Sequence, residues 1–102
     1  MKKPDEAYLL EIIASIAIGD LDAAEKKLRH WGKVRKVNIE DRLSCDDYDI
    51  QQNRSFEENC YYAIIDLNYY HNEHYIDYTI SHTIANLETI KAYQNERMGE
   101  IA

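Results

Sequence analysis

From Ser55 to Arg97 the chain contains no proline, and the next glycine is Gly99. Nothing in that span forces a helix to stop, and its start is well marked. The run Ser-Phe-Glu-Glu puts Ser55 at an N-cap with Glu58 three residues on, the spacing of a capping box. Carried through unbroken, such a helix is about 60 Å long, which is long for a chain of 102 residues. The apolar pattern argues for a break. On a continuous helix Cys60, Ile64, Leu67, His71, Tyr75, Tyr78 and His82 share one face, whereas Tyr62, Ile65, Tyr69, Ile76, Ile80 and Leu87 share the opposite one. A helix with two apolar faces has to be covered on both sides. The expectation is a kink or short turn near His71-Asn72-Glu73, with the asparagine in a left-handed cap conformation. An unbroken helix would instead suit a homodimer that buries the second face.

Ahead of this segment, Leu9, Ile12, Ile13, Ile16 and Ala17 recur at helical spacing between Asp5 and Ile18. Pro4 fits the first turn of that helix and Gly19 its stop. A second helix follows at once, capped by Asp20 or Asp22, where Asp22 and Glu25 also have capping-box spacing. Its stripe is Leu21, Ala24, Leu28 and Trp31. The pair reads as an αα-hairpin with a minimal turn. With only three glycines and one proline, the chain lacks the turn residues of a β sandwich. The predicted fold is all-α: a small helical bundle in one domain spanning 1–102. Its parts are the hairpin (5–31), an irregular connecting segment (32–54), one long or two consecutive C-terminal helices (55–97) and a tail (98–102). No window approaches a membrane span. The start, MKKPDEAY, turns acidic too soon for a signal peptide. Cys45 and Cys60 form no CxxC pair, and a reduced cytoplasm is the simplest expectation.

Three stretches invite a chemical reading. In YYHNEHYIDYTISH, His71 and His74 are three apart and could reach one ion from a single helical face. His82 lies about 16 Å further along a helix, and a third ligand is missing, so these rings equally form an amphipathic stripe. In DYDIQQNRSFEE, Asp47, Asp49, Gln51, Asn53, Ser55 and Glu58 fall at the ligand positions of a calcium loop. The glycine that such a loop needs is replaced by Gln52, and Ser55 and Glu58 already serve the helix cap. Between Lys26 and Lys36 lie six of the twelve Lys/Arg residues, with His30 and Trp31 among them. That pattern suits phosphate contacts and base stacking, but basic residues also gather at helix C-termini. No nucleophile elbow, phosphate loop or HExxH occurs, and Cys60 falls on a face expected to be buried, so no enzyme and no cofactor is predicted.

Charge separates the remaining possibilities. Through Lys36 there are eight basic and six acidic residues, whereas from Val37 onward there are four basic and thirteen acidic ones. An acidic two-thirds repels nucleic acid and membrane surfaces and attracts basic protein surfaces. Six of the nine tyrosines lie between Tyr61 and Tyr78, and tyrosine is favoured at interfaces. The expectation is a protein-binding surface of Tyr62, Asp66, Tyr69, Tyr70, Glu73, Tyr75, Asp77 and Tyr78, with Glu88 continuing the acidic side if the helix is unbroken. Its partner would be a protein with a basic surface. Immunity proteins for nuclease toxins, and phage-encoded inhibitors that mimic nucleic acid, use the same physics; the analogy is one of charge and size. The alternatives are a metal- or ligand-binding module built on His71 and His74, and a nucleic-acid binder using Lys26–Lys36.

Overall fold

In the computed structural model, residues 3–39 and 50–101 are described, and they form four helices: α1 (Lys3–Ala17), α2 (Leu21–Val34), α3 (Phe56–Glu73) and α4 (Ile76–Ile101). No strand occurs among the described residues. The N-terminal hairpin and the two consecutive C-terminal helices are as the sequence predicts. The helix continues to Ile101, through most of the expected tail. Cys45, Asp47 and Asp49 lie outside the described residues.

The α1–α2 turn closes as a Schellman motif. Asp20 N–H donates to Ser15 O and Gly19 N–H to Ile16 O, both at 2.9 Å. Gly19 has φ +81°, a left-handed conformation that an L side chain enters only at a cost. Asp20, rather than Asp22, caps α2: its Oδ1 accepts from Ala23 N–H at 3.1 Å. The capping box read from Asp22 and Glu25 does not form, because Asp22 already lies inside α2; both carboxylates reach across to Lys91 of α4, each at 3.1 Å. At the far end of α2 the same motif recurs. Val37 N–H donates to Gly32 O at 2.8 Å and Lys36 N–H to Lys33 O at 3.2 Å. Here the left-handed position is a lysine, Lys36, with φ 56°.

α3 begins with the predicted capping box: Ser55 Oγ accepts from Glu58 N–H at 3.1 Å, and Glu58 Oε1 accepts from Ser55 N–H at 3.2 Å. The approach to it is tied down from two sides. The buried Asn59 side chain both accepts from Gln51 N–H and donates to Gln51 O, each at 3.0 Å. Arg97 of α4 donates to Gln52 O at 2.7 Å and also to Arg54 O.

The long segment does break, at the C-terminal edge of the expected stretch His71-Asn72-Glu73. α3 ends at Glu73, and His74 turns the chain in an extended conformation (φ −130°, ψ 177°). Asn72 stays inside α3, and the left-handed asparagine cap does not form. The break resolves the conflict between two apolar faces. α3 buries Cys60, Ala63 and Leu67, α4 buries Ile80, Ile84, Leu87 and Ile90, and folding back lets both sets meet one core with Ile12, Ile16, Leu28 and Trp31. α4 is held to α2 by Arg29–Glu88 at 3.2 Å and by Lys91 with Asp22 and Glu25. Burial works against the charge on Lys91, but the two carboxylates outweigh it and hold its pKa above the usual lysine value.

Candidate protein-binding face

The outward face of α3 carries a stripe set by its own sequence. Glu57, Tyr61, Ile65, Tyr69 and Glu73 follow each other at intervals of four, and all are exposed. Side chains four apart are neighbours on a helix surface, so an acid sits at each end of a Tyr–Ile–Tyr centre, over about 24 Å of helix. Tyr61 is 63% exposed, Ile65 42% and Tyr69 56%, a considerable apolar surface to leave in water. Beyond the break, Tyr75 is the most exposed large side chain in this region, at 83%, followed by exposed Asp77 and Tyr78. Glu58, beside the stripe, is held below the usual carboxylate pKa by its bond to the Ser55 backbone and hydroxyl, so it stays charged.

The eight residues expected to bind a partner therefore divide. Tyr69, Glu73, Tyr75, Asp77 and Tyr78 lie at the surface. Tyr62 and Tyr70 are half-buried. The Arg54 guanidinium lies 3.9 Å from the Tyr62 ring centre, a cation–π geometry. Tyr70 packs edge-on against Tyr69 and Tyr78, each at 5.3 Å between ring centres. Asp66 is buried, and its Oδ2 accepts from Asn86 Nδ2 at 3.2 Å across the α3–α4 contact. It belongs to the interior, and Glu88 is engaged by Arg29. The break thus dissolves the acidic line Asp66–Glu73–Asp77–Glu88 that a continuous helix would have carried. Glu57, Tyr61 and Ile65 add to the surface residues, and the four-residue interval from Glu57 to Glu73 is the sequence signal that marks them.

The histidines also separate. His71 faces α2, with its ring centre 6.2 Å from that of Trp31. Burial lowers its pKa, against the opposing pull of the Asp5 carboxylate. His74 lies at the corner, 5.1 Å from both Tyr70 and Tyr78. The buried His82 stacks on Tyr78, with planes 10° apart, and approaches Tyr70 to 4.4 Å. These are packing contacts of amphipathic rings. His71 and His74, the pair that could reach one ion from a single helical face, have different ring neighbours. Among the described residues no three His, Cys, Asp or Glu side chains converge to hold a metal. In the calcium-like stretch, Ser55 and Glu58 spend their oxygens on the capping box.

Within the basic run, Trp31 is fully buried and offers no face to a base. Arg35 lies 3.4 Å from Asp5, and Lys27 donates to Ser15 Oγ at 3.1 Å. Lys26, Arg29, His30 and Lys33 share one side of α2 and line a shallow cleft with Val37 and Ile39.

An apolar cleft of about 490 Å³ adjoins the α3 stripe at its Glu57 end. It lies between the α1–α2 turn and the first half of α3, and Glu57 and Tyr61 belong to both features. Among the described residues no helix is long and apolar enough to cross a membrane. Comparison with protein families, with curated proteins and with solved structures finds no match to this chain.

Proposed function

We propose that this is a non-enzymatic protein-binding protein of the inhibitor or immunity type, which covers a basic surface of its partner with the outer face of α3 and the α3–α4 corner. The observation that supports this most is the exposed stripe Glu57–Tyr61–Ile65–Tyr69–Glu73, continued by Tyr75 and Asp77. Tyrosine offers rigid contact area with a hydrogen-bonding tip, and acids around such a centre steer a basic partner and set its orientation. The net charge of −7 acts in the same direction at longer range.

The test is capture at low salt followed by a direct titration of whatever is retained. The reading expects a basic protein that binds the wild-type chain and is released by salt. It also expects that protein to be lost when Glu57, Glu73 and Asp77 are all changed to Lys. If the triple variant retains it with unchanged affinity, the acidic face is not the contact.

A second reading, binding of a polyanion on α2, draws on the cleft lined by Lys26, Arg29, His30 and Lys33. It expects salt-sensitive binding of a duplex oligonucleotide that disappears when Lys26 and Lys33 become Ala. Failure to bind at low salt removes it.

A further inference from the structure

The cleft beside Gly19 is walled by Ile16, Ala17, Ile18, Phe56, Tyr61 and Ile64, with Cys60 also in its lining. Ile18 is 79% exposed at the end of α1, and Tyr61 is 63% exposed on α3. Both are large side chains whose transfer out of water would be favourable. The cleft volume of about 490 Å³ falls in the range of pockets that engulf bulky groups. Burial pushes the Cys60 thiol up to about 11, with Glu57 adding to the shift, so at neutral pH this part of the lining is uncharged. The rim has the opposite character. Glu57 is an exposed part of the lining. Asp20 and Asp22 line a smaller cleft that shares Gly19 and Phe56 with the first. The lysine in that smaller cleft, Lys91, is occupied by Asp22 and Glu25.

An apolar hollow with an acidic rim selects a particular kind of occupant. We propose that the cleft seats an apolar side chain projecting from a basic amphipathic helix of the partner, with Glu57 pairing a cation on that same helix. The inference rests on the basic-partner reading above and adds the anchor that fixes where the partner sits. Charge complementarity favours this occupant over a second copy of the chain. Two copies, each of net charge −7, would set acid against acid at the rim. Length fits as well. A helix of about twelve residues spans the roughly 18 Å from Glu57 to Tyr69, and one end of it then lies over the cleft; Glu73 lies about 160° around α3 from Glu57, off the face that such a helix covers. Helix-in-groove recognition works through a few such apolar anchors, with charges fixing the register.

Three synthetic helical peptides of about that length decide the matter: a Lys/Leu amphipathic peptide, a Lys/Ser peptide of equal charge without the apolar face, and a neutral Gln/Leu amphipathic peptide. Each is titrated into the full chain and followed by amide NMR shifts. The proposal expects the Lys/Leu peptide to bind at least about tenfold tighter than either control, the scale set by burying one leucine-sized side chain. Shifts should concentrate at Ile18, Gly19, Cys60, Tyr61 and Ile64. Ile18→Gln and Glu57→Gln should each weaken binding severalfold while leaving the thermal melt unchanged, since both positions are exposed.

Equal binding of the two lysine peptides, or shifts confined to Glu73 and Asp77, overturns the anchor and leaves the basic-partner reading standing. Equal binding of the Gln/Leu and Lys/Leu peptides removes the role of charge and with it both readings. Binding of no peptide overturns the anchor, while the basic-partner reading stands or falls on capture and the triple Lys variant. A free chain that sediments as a dimer, and becomes a monomer on Ile18→Gln, assigns the cleft to a second copy and overturns the proposal.

Discussion

Trp31 and Asp5 meet inside the helical hairpin: the indole Nε1–H donates to Asp5 Oδ1 at 2.8 Å, and both side chains are buried. Arg35 Nε lies 3.4 Å from the same oxygen. One carboxylate thus satisfies a buried donor from the last turn of α2 and pairs a cation just beyond its end. Asp5→Ala leaves the indole N–H buried without an acceptor, which costs about 1–3 kcal/mol. Asp5→Asn keeps an acceptor oxygen and should lose less. Urea unfolding followed by the fluorescence of the single tryptophan measures both. Equal losses in the two variants would show that charge, rather than the hydrogen bond, is what Asp5 contributes.

Lys36 occupies the left-handed position of a Schellman motif. Steric crowding between Cβ and the carbonyl makes that conformation costly for any residue except glycine. Lys36→Gly should raise stability by roughly 0.5–1 kcal/mol, after the greater freedom of glycine in the unfolded chain is deducted. A lowered denaturation midpoint would mean that the lysine side chain makes a contact worth more than the strain.

Acids that look equivalent in sequence should respond differently to charge reversal. Asp66 is buried against Asn86, whose Oδ1 is itself buried without a hydrogen-bond partner. Asp66→Lys would place a cation in that interior and should cost more than about 3 kcal/mol, seen as a collapsed melting temperature. Glu73→Lys and Asp77→Lys, on exposed positions, should change stability by about 1 kcal/mol or less, the larger effect at Asp77 in the first turn of α4. Comparable melting temperatures for all three variants would contradict the buried placement of Asp66.

His71 supplies a pH dependence of defined sign. Burial lowers its folded pKa below the usual value of 6.5. As pH falls through that value the unfolded chain takes up the proton more readily than the native one, so stability is lost on acidification. Above it both states are neutral at this site and the effect vanishes. Between about pH 7 and about pH 5.5 the urea midpoint of wild type should therefore drop more steeply than that of His71→Gln. Parallel slopes would show that the imidazole titrates alike in both states.

Ser55→Ala should cost about 1 kcal/mol, because it removes the side-chain acceptor for Glu58 N–H and leaves only the bond from the Ser55 backbone N–H to Glu58 Oε1. The loss should be smaller in a Glu58→Ala background, which removes the reciprocal acceptor, if the two bonds support each other. Strictly additive losses would show that they act independently.

What the sequence determined by itself was local in origin. Ser55 and Glu58 mark a helix start because both halves of the capping box lie within three residues. Gly19 ends α1 because one backbone conformation is needed there. Leu21, Ala24, Leu28 and Trp31 form a buried stripe because helical periodicity alone brings them together. The need for a break between Ser55 and Arg97 was also legible, since two opposed apolar faces cannot both be covered by one small core. Its position was legible to within a residue or two, beside His71-Asn72-Glu73, but not the residue that makes the turn. His74 carries no stop signal, and the turn falls there because α4 must return along α2 for Arg29 to meet Glu88 and for Lys91 to meet Asp22 and Glu25. The same return decides which acids face water. Asp66 is buried against Asn86, and Glu88, still exposed, is paired with Arg29, whereas Glu57, Glu73 and Asp77 are exposed on the outer side. Burial is a property of what packs against a residue, and those neighbours lie 20 to 59 positions away along the chain. No local pattern can carry that information.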